Sequence, residues 1–207
     1  SRLYNDREFL ASTDPWFRPV QFYIGPDGAL YVIDYYRQII EHPEWMSEEV
    51  AKSGALYNGS NQGRIYRITP DNAPALNWNS KLILNNASIQ ELVKQLSNPN
   101  IWWRRNAQRL LVDKQDPSAI PLIKELLDST HSPIAIVHAL WTLEGLNAIS
   151  KNQITKFLTH PEAGLRENTI RIAENDKYLV FLINKIINLI KSCEENLNSY
   201  NRIFIRG

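Results

Sequence analysis

Tyr35, Tyr36, Arg37, His42 and Trp45 lie close together in one aromatic and charged stretch. Aromatic faces stack on the apolar faces of sugar rings, and guanidinium and imidazole groups donate to hydroxyls. The set therefore reads as a sugar-facing or lid surface, with packing of a loop against the rest of the fold as the competing reading. His42 has no second ligand at HxxxH or HExxH spacing, so a metal site is unsupported. Neither GxGxxG nor GxxxxGK[ST] is present, and no Ser-His-Asp or Cys-His nucleophile pattern is recognisable.

The chain has 207 residues, 43% of them apolar and 22% charged, with a formal net charge of +1. Such a composition suits a globular protein of one or two domains, and it lacks the concentrated basic field that nucleic acid or an anionic membrane requires. Cys193 is the single cysteine, which rules out an intrachain disulfide, a CxxC zinc pair or a CxxCH haem attachment within these residues. No charged-then-apolar leader is visible at the start. The longest apolar run, residues 178–190, is interrupted by Asn184, Lys185 and Asn188 and is shorter than a membrane span, so it reads as a core helix.

Period two dominates the front of the chain. Val20, Phe22 and Ile24 alternate with polar or aromatic neighbours, as do Leu30, Val32 and Asp34, which predicts two strands joined by the turn Gly25-Pro26-Asp27-Gly28. Residues 63–68 predict a third strand ended by Pro70 and Asp71, and residues 8–12 suit the close of an earlier one. The insertion 35–62 holds a short helix at 47–51 and a turn at Asn58-Gly59. Three strands bury too little apolar area to offset the entropy of ordering them, so this region wants further chain to pack against.

Beyond residue 85 the period becomes helical. Ile89, Leu92, Val93 and Leu96 form an apolar stripe behind a capping box of Ser88 and Glu91. Pro99, Pro133 and Pro161 then recur at helix starts, each followed five residues later by Arg104, His138 or Arg166. Helix pairs recurring at this interval bury their stripes by stacking, as in HEAT-like repeats. The arginines are expected to pair with acidic residues of adjoining helices, His138 to be a satisfied interior histidine, and Trp102, Trp103 and Trp141 to pack in the core or between repeats, against one of them serving as a surface anchor for a partner. The expected fold class is α+β and multidomain: residues 1–75 with strands, a linker at 76–86, helical repeats at 87–192 and a frayed tail at 193–207.

The succession Phe17-Arg18-Pro19-Val20, Gly25-Pro26-Asp27-Gly28-Ala29-Leu30-Tyr31-Val32, Asp34-Tyr35 and Gly63-Arg64-Ile65-Tyr66-Arg67-Ile68 resembles the closing blade of six-bladed quinoprotein sugar-dehydrogenase-type β-propellers. Trp103-Arg104-Arg105-Asn106-Ala107 and the stretch from His138 to Leu146, HALWTLEGL, are similar to the HEAT-like segment that follows such a propeller. Together, over roughly residues 8–175, they resemble the membrane-bound dehydrogenase or haem-binding CxxCH family of planctomycetes, verrucomicrobia and bacteroidetes.

The resemblance implies a fragment of a periplasmic or secreted protein whose missing parts are the other propeller blades and a cytochrome domain. The whole would oxidise a sugar or alcohol with pyrroloquinoline quinone and calcium in the propeller and haem c beyond the repeats; no cofactor is demonstrable in this segment. It implies a cofactor-facing role for Arg18, whose fixed charge suits a carboxylate-bearing quinone, against an ion pair with Asp14 or Asp34. Asp34 is implied to reach a propeller face and bind a cation or sugar hydroxyl, against a role as a turn acceptor. The alternative to the dehydrogenase-like reading is a non-enzymatic module whose solenoid presents a surface to a protein or glycan, with no nucleic-acid partner and no membrane span.

Overall fold

A computed structural model describes residues 7–73, 83–174, 178, 180, 181, 183–188, 190 and 191. The fold is α+β, with a three-stranded antiparallel sheet and a set of helices in two compact units, residues 1–80 and 81–207.

In the first unit the strands are β1 (Pro19–Ile24), β2 (Leu30–Asp34) and β3 (Arg64–Ile68), in the order β1-β2-β3. Phe22, Val32 and Tyr66 stand side by side in one row of the sheet, and Gln21, Ile33 and Ile65 in the next. The hairpin turn is eased by Gly28, which takes φ 80, a conformation that a residue without a Cβ adopts at little cost. The Asp27 carboxylate accepts from the Ala29 amide, the Tyr31 hydroxyl and Arg67 Nε at 2.7 Å, which ties this turn to β3. Burial opposes its charge, yet the bonds from Arg67, Ala29 and Tyr31 prevail and hold the carboxyl below its ordinary range.

The insertion carries α1 (Glu48–Lys52), capped by Ser47, and 3-10 turns at Pro43–Trp45 and Ala55–Tyr57. Residues 8–12 form no strand: they are bends and irregular chain, and Phe9 is exposed. Of the apolar side chains described in this unit, only Ala29, Val32 and Tyr36 are buried, while Val20, Phe22, Ile33 and Ile65 face outward.

The second unit contains α2 (Ile89–Gln95), α3 (Ile101–Lys114), α4 (Ala119–Ser129), α5 (Pro133–Gly145), α6 (Lys151–Leu158) and α7 (Ala163–Ala173). Ser88 and Glu91 make the expected capping box on α2, and Ser150 with Gln153 makes a second on α6. Consecutive helices pair as α2 with α3, α4 with α5 and α6 with α7, and the second helix of each pair packs on the next, α3 on α5 and α5 on α7. A single apolar cluster fills the space between, with Leu92, Leu111, Ile123, Leu140, Leu143 and Ile154 fully buried and Trp102, Trp103 and Trp141 packed against it. Each fully buried leucine or isoleucine contributes roughly 1.5–3 kcal/mol.

Residues 183–188 are helical, as predicted, but among the described residues of this run only Tyr178 and Phe181 reach the apolar cluster. Tyr178 is buried, with its hydroxyl donating to the Ile149 carbonyl, while Val180, Ile183, Ile187 and Ile190 are exposed. Leu179 and Leu182 of the predicted stripe, most of the predicted linker at 76–86 and the whole predicted tail at 193–207 lie outside the described residues. Among the described residues no helix is long and apolar enough to cross a membrane.

Candidate functional site

Asp34 ends β2 and is 1% exposed. Its Oδ1 accepts from the backbone amides of Arg18 at 2.8 Å and Tyr36 at 2.9 Å, and Oδ2 lies 3.5 Å from the Tyr66 hydroxyl. The carboxylate thus fastens the chain entering β1 to the chain leaving β2. The Arg18 guanidinium forms no ion pair with Asp14 or Asp34. It donates instead to the carbonyls of Pro15, Phe17 and Gln38, at 2.6, 3.0 and 3.2 Å.

Tyr36 sits in the left-handed region, φ 49, which is uncommon for a bulky residue. Gly59 makes room for it: a Cβ there would stand 2.6 Å from the Tyr36 carbonyl oxygen, and Gly59 is itself at φ 87. The buried Tyr36 ring packs on Trp16 at 5.8 Å and under the Arg64 guanidinium at 4.1 Å. Its hydroxyl bonds to Asp14, and that bond together with burial pushes the hydroxyl's pKa up. Asp14 and Arg64, 3.9 Å apart, close the cluster. The sequence offers Asp14 as a partner for Arg18 and places Arg64 in a strand, but the structure sets both against Tyr36, whose backbone turns left-handed there.

Arg37 donates to the carbonyls of Tyr35, Tyr36 and Gly59, and its guanidinium lies 4.2 Å over the Tyr35 ring. The insertion is fastened to the sheet through this residue. His42 is exposed and 3.8 Å from Glu44, and Trp45 is 79% exposed. The structure therefore joins Arg18, Asp34, Tyr36 and Arg37 in one backbone-bonded network and leaves His42 and Trp45 outside it. As placed, Arg18 and Asp34 do not fit a quinone or cation site: both serve main-chain groups, and Asp34 Oδ1 already accepts two amides. Among the described residues no group of three His, Cys, Asp or Glu side chains converges.

In the helical unit Arg104 and Arg166 repeat one arrangement. Arg104 NH1 donates to the carbonyls of Asn98 and Pro99 at 2.6 and 2.8 Å, and Arg166 NH1 to those of His160 and Pro161 at 2.8 and 2.7 Å. The expected ion pairs to adjoining helices are absent among the described residues. Each arginine stands four residues after its helix N-cap, Asn100 or Glu162. His138 is not their equivalent, because Pro133 is the first residue of α5, with Ser132 as N-cap, whereas Pro99 and Pro161 precede their caps. Ile136 holds the arginine position in α5, and His138 aligns with Asn106 and Asn168.

Two members of that row bond between helices, while Asn106 Nδ2 donates to the Trp102 carbonyl of its own helix. His138 Nδ1 meets Gln108 Oε1 at 2.6 Å, and Trp141 Nε1 donates to Asn168 Oδ1 at 2.9 Å. Burial, aided by the charges of Arg104 and Arg105, lowers the His138 pKa to about 4, so the ring is neutral at pH 7. Arg104 is 6% exposed and its Nε has no partner.

No curated protein and no solved structure matches this chain. Residues 2–72, which include the whole three-stranded sheet and its insertion, match the family described as a domain of unknown function, DUF7133.

Proposed function

We propose that the chain is a piece of an exported, propeller dehydrogenase-like protein. In this reading the sheet unit is the closing blade of a β-propeller, and the helical unit is a HEAT-like solenoid that acts as a scaffold and docking surface. The observation that carries it is the recurrence in the helical unit: three stacked helix pairs, with the same arginine fastening the connector before α3 and before α7. Units that repeat and stack in this way build extended surfaces suited to binding rather than enclosed reaction sites.

Within the sheet unit, outward-facing Val20, Phe22, Ile33 and Ile65 on a three-stranded sheet support its being covered by further chain. The whole protein would oxidise a sugar or alcohol and pass electrons to a c-type cytochrome. No step is assigned to this chain, because the bonding of Arg18 and Asp34 supports structural roles. A second reading, a stand-alone protein- or glycan-binding module, is favoured by Trp45, whose ring is exposed on the insertion.

The test is quinone- and calcium-dependent dye reduction with a panel of sugars and alcohols, run on this chain and on the full-length protein. Turnover by the full-length protein and none by the chain supports the proposal. Turnover by this chain alone refutes the docking role. A full-length protein without turnover on any substrate favours the binding module.

A further inference from the structure

We propose that the face formed by α3, α5 and α7 docks an extended acidic peptide segment of a partner protein, a surface that gives the docking role proposed above its partner chemistry and rests on that role. Arg105, Gln108, Arg109, Val112 and Asp113 line a groove of about 250 Å³ along α3. Arg109 lies nine residues after its N-cap, and the same position is Trp141 on α5 and Arg171 on α7. Because α5 packs against both α3 and α7, the half-buried indole has an arginine-bearing helix on either side.

The charge on this face is not balanced internally. Arg109 and Arg171 each have one carboxylate on their own helix, Asp113 at 4.0 Å and Glu167 at 2.9 Å. Arg104 and Arg105 have none among the described residues. The buried Arg104 guanidinium, bonded to the connector carbonyls, adds a charge that water screens little. Carboxylates of an incoming segment would meet the exposed Arg105 and Arg109, and an apolar side chain between them would meet Trp141; arginine and tryptophan are the residue types that most often anchor interfaces. A chain of net charge +1 has no general attraction for acidic peptides, so binding would be confined to this face.

The test uses the full chain and a fluorescein-labelled oligoglutamate peptide with a central leucine, followed by fluorescence anisotropy at low and physiological salt. Saturable binding that weakens with salt is expected. Arg105→Glu with Arg109→Glu should weaken it about tenfold or more, with an unchanged circular dichroism spectrum and melting curve. Lys124→Glu with Lys156→Glu, on α4 and α6, should leave it intact. No saturable binding by the folded chain overturns the proposal, as does an equal loss in the lysine variant. Displacement of the peptide by a single-stranded oligonucleotide of matched charge at equal concentration also overturns it, in favour of a phosphate-binding face. None of these results alters the dye-reduction result, so the two failures remain distinguishable.

Discussion

Asp34→Ala separates a structural carboxylate from a ligand-binding one. The substitution removes the acceptor for two amides, those of Arg18 and Tyr36, without touching either residue. The Tyr36 amide is buried, and leaving a buried donor unsatisfied costs about 1–3 kcal/mol; the part-buried Arg18 amide adds about 1 kcal/mol more. The total, roughly 2–4 kcal/mol, is large for a unit whose described apolar core is Ala29, Val32 and Tyr36.

Hydrogen exchange followed by mass spectrometry on the whole chain reads this unit separately from the helices. Amides of residues 17–36 should exchange roughly thirty- to a thousandfold faster in Asp34→Ala, at a tenfold change per 1.4 kcal/mol. Asp34→Asn keeps an oxygen at the Oδ1 position and should lose at most about 1 kcal/mol. The pair of variants carries the discrimination. If Asp34→Asn opened the sheet as much as Asp34→Ala, the negative charge itself would be what the fold requires, and the acceptor account would fail. Unchanged exchange in Asp34→Ala would equally refute it.

Gly59→Ala should destabilise the sheet unit by about 1–3 kcal/mol, seen as faster exchange at 35–40, because the residue is left-handed and its Cβ would strike the Tyr36 carbonyl. Gly145→Ala should lower the melting temperature of the helical unit, its Cβ falling 2.7 Å from Val112 Cγ2; in a Val112→Ala background much of that loss should vanish, giving a coupling of about 1 kcal/mol, and purely additive effects would contradict the contact. His138 has its pKa lowered to about 4 from an ordinary 6.5, so the unfolded chain takes up the proton first and stability should fall as pH drops from about 6.5 through about 4; Arg105→Ala should raise the His138 pKa in an NMR titration, and a normal starting value would sink the burial account. Arg166→Met should cost about 1–3 kcal/mol by denaturant melt and Arg166→Lys less, since an ammonium can still reach the two carbonyls, whereas neutralising Glu162 or Glu167 should not reproduce the loss.

Local signals in the sequence located most elements. The turn residues at 25–28, the alternation on either side of them, and the Ser88 cap each act within a few residues, and each appears as expected, while the short helix expected at 47–51 begins one residue later, with Ser47 as its cap. What escaped was non-local or lay in the backbone. Asp27 suits its turn, but its bond to Arg67 spans forty residues and depends on β3 pairing in one register. The aromatic run at 35–45 has a composition that suits a surface, yet Tyr36 is buried and Trp45 exposed, and the difference comes from a single left-handed residue that composition does not mark. Residues 183–190 have a helical stripe, but periodicity reveals only that a face is apolar and not whether another element covers it.

The helical unit shows why caps align its helices better than prolines do. A proline forces the preceding residue toward an extended conformation. Where it stands just before the N-cap, as Pro99 and Pro161 do, two consecutive carbonyls lie within reach of one guanidinium NH2 group on the first turn. Where it is the first residue of the helix, as Pro133 is, the cap precedes it, no such pair forms, and the same position accepts a buried isoleucine. The distinction is written in the order of two residues, Pro99-Asn100 and Pro161-Glu162 against Ser132-Pro133. Counting from the proline places His138 beside the arginines, whereas counting from the cap places it in the row with Asn106 and Asn168, where its bond to Gln108 and the bond from Trp141 to Asn168 join neighbouring helices. The arginines at the helix starts therefore fix the connectors and the polar row fixes the spacing between second helices, which leaves Arg105, Arg109, Arg171 and Trp141 with charge or ring surface to offer a partner on this face.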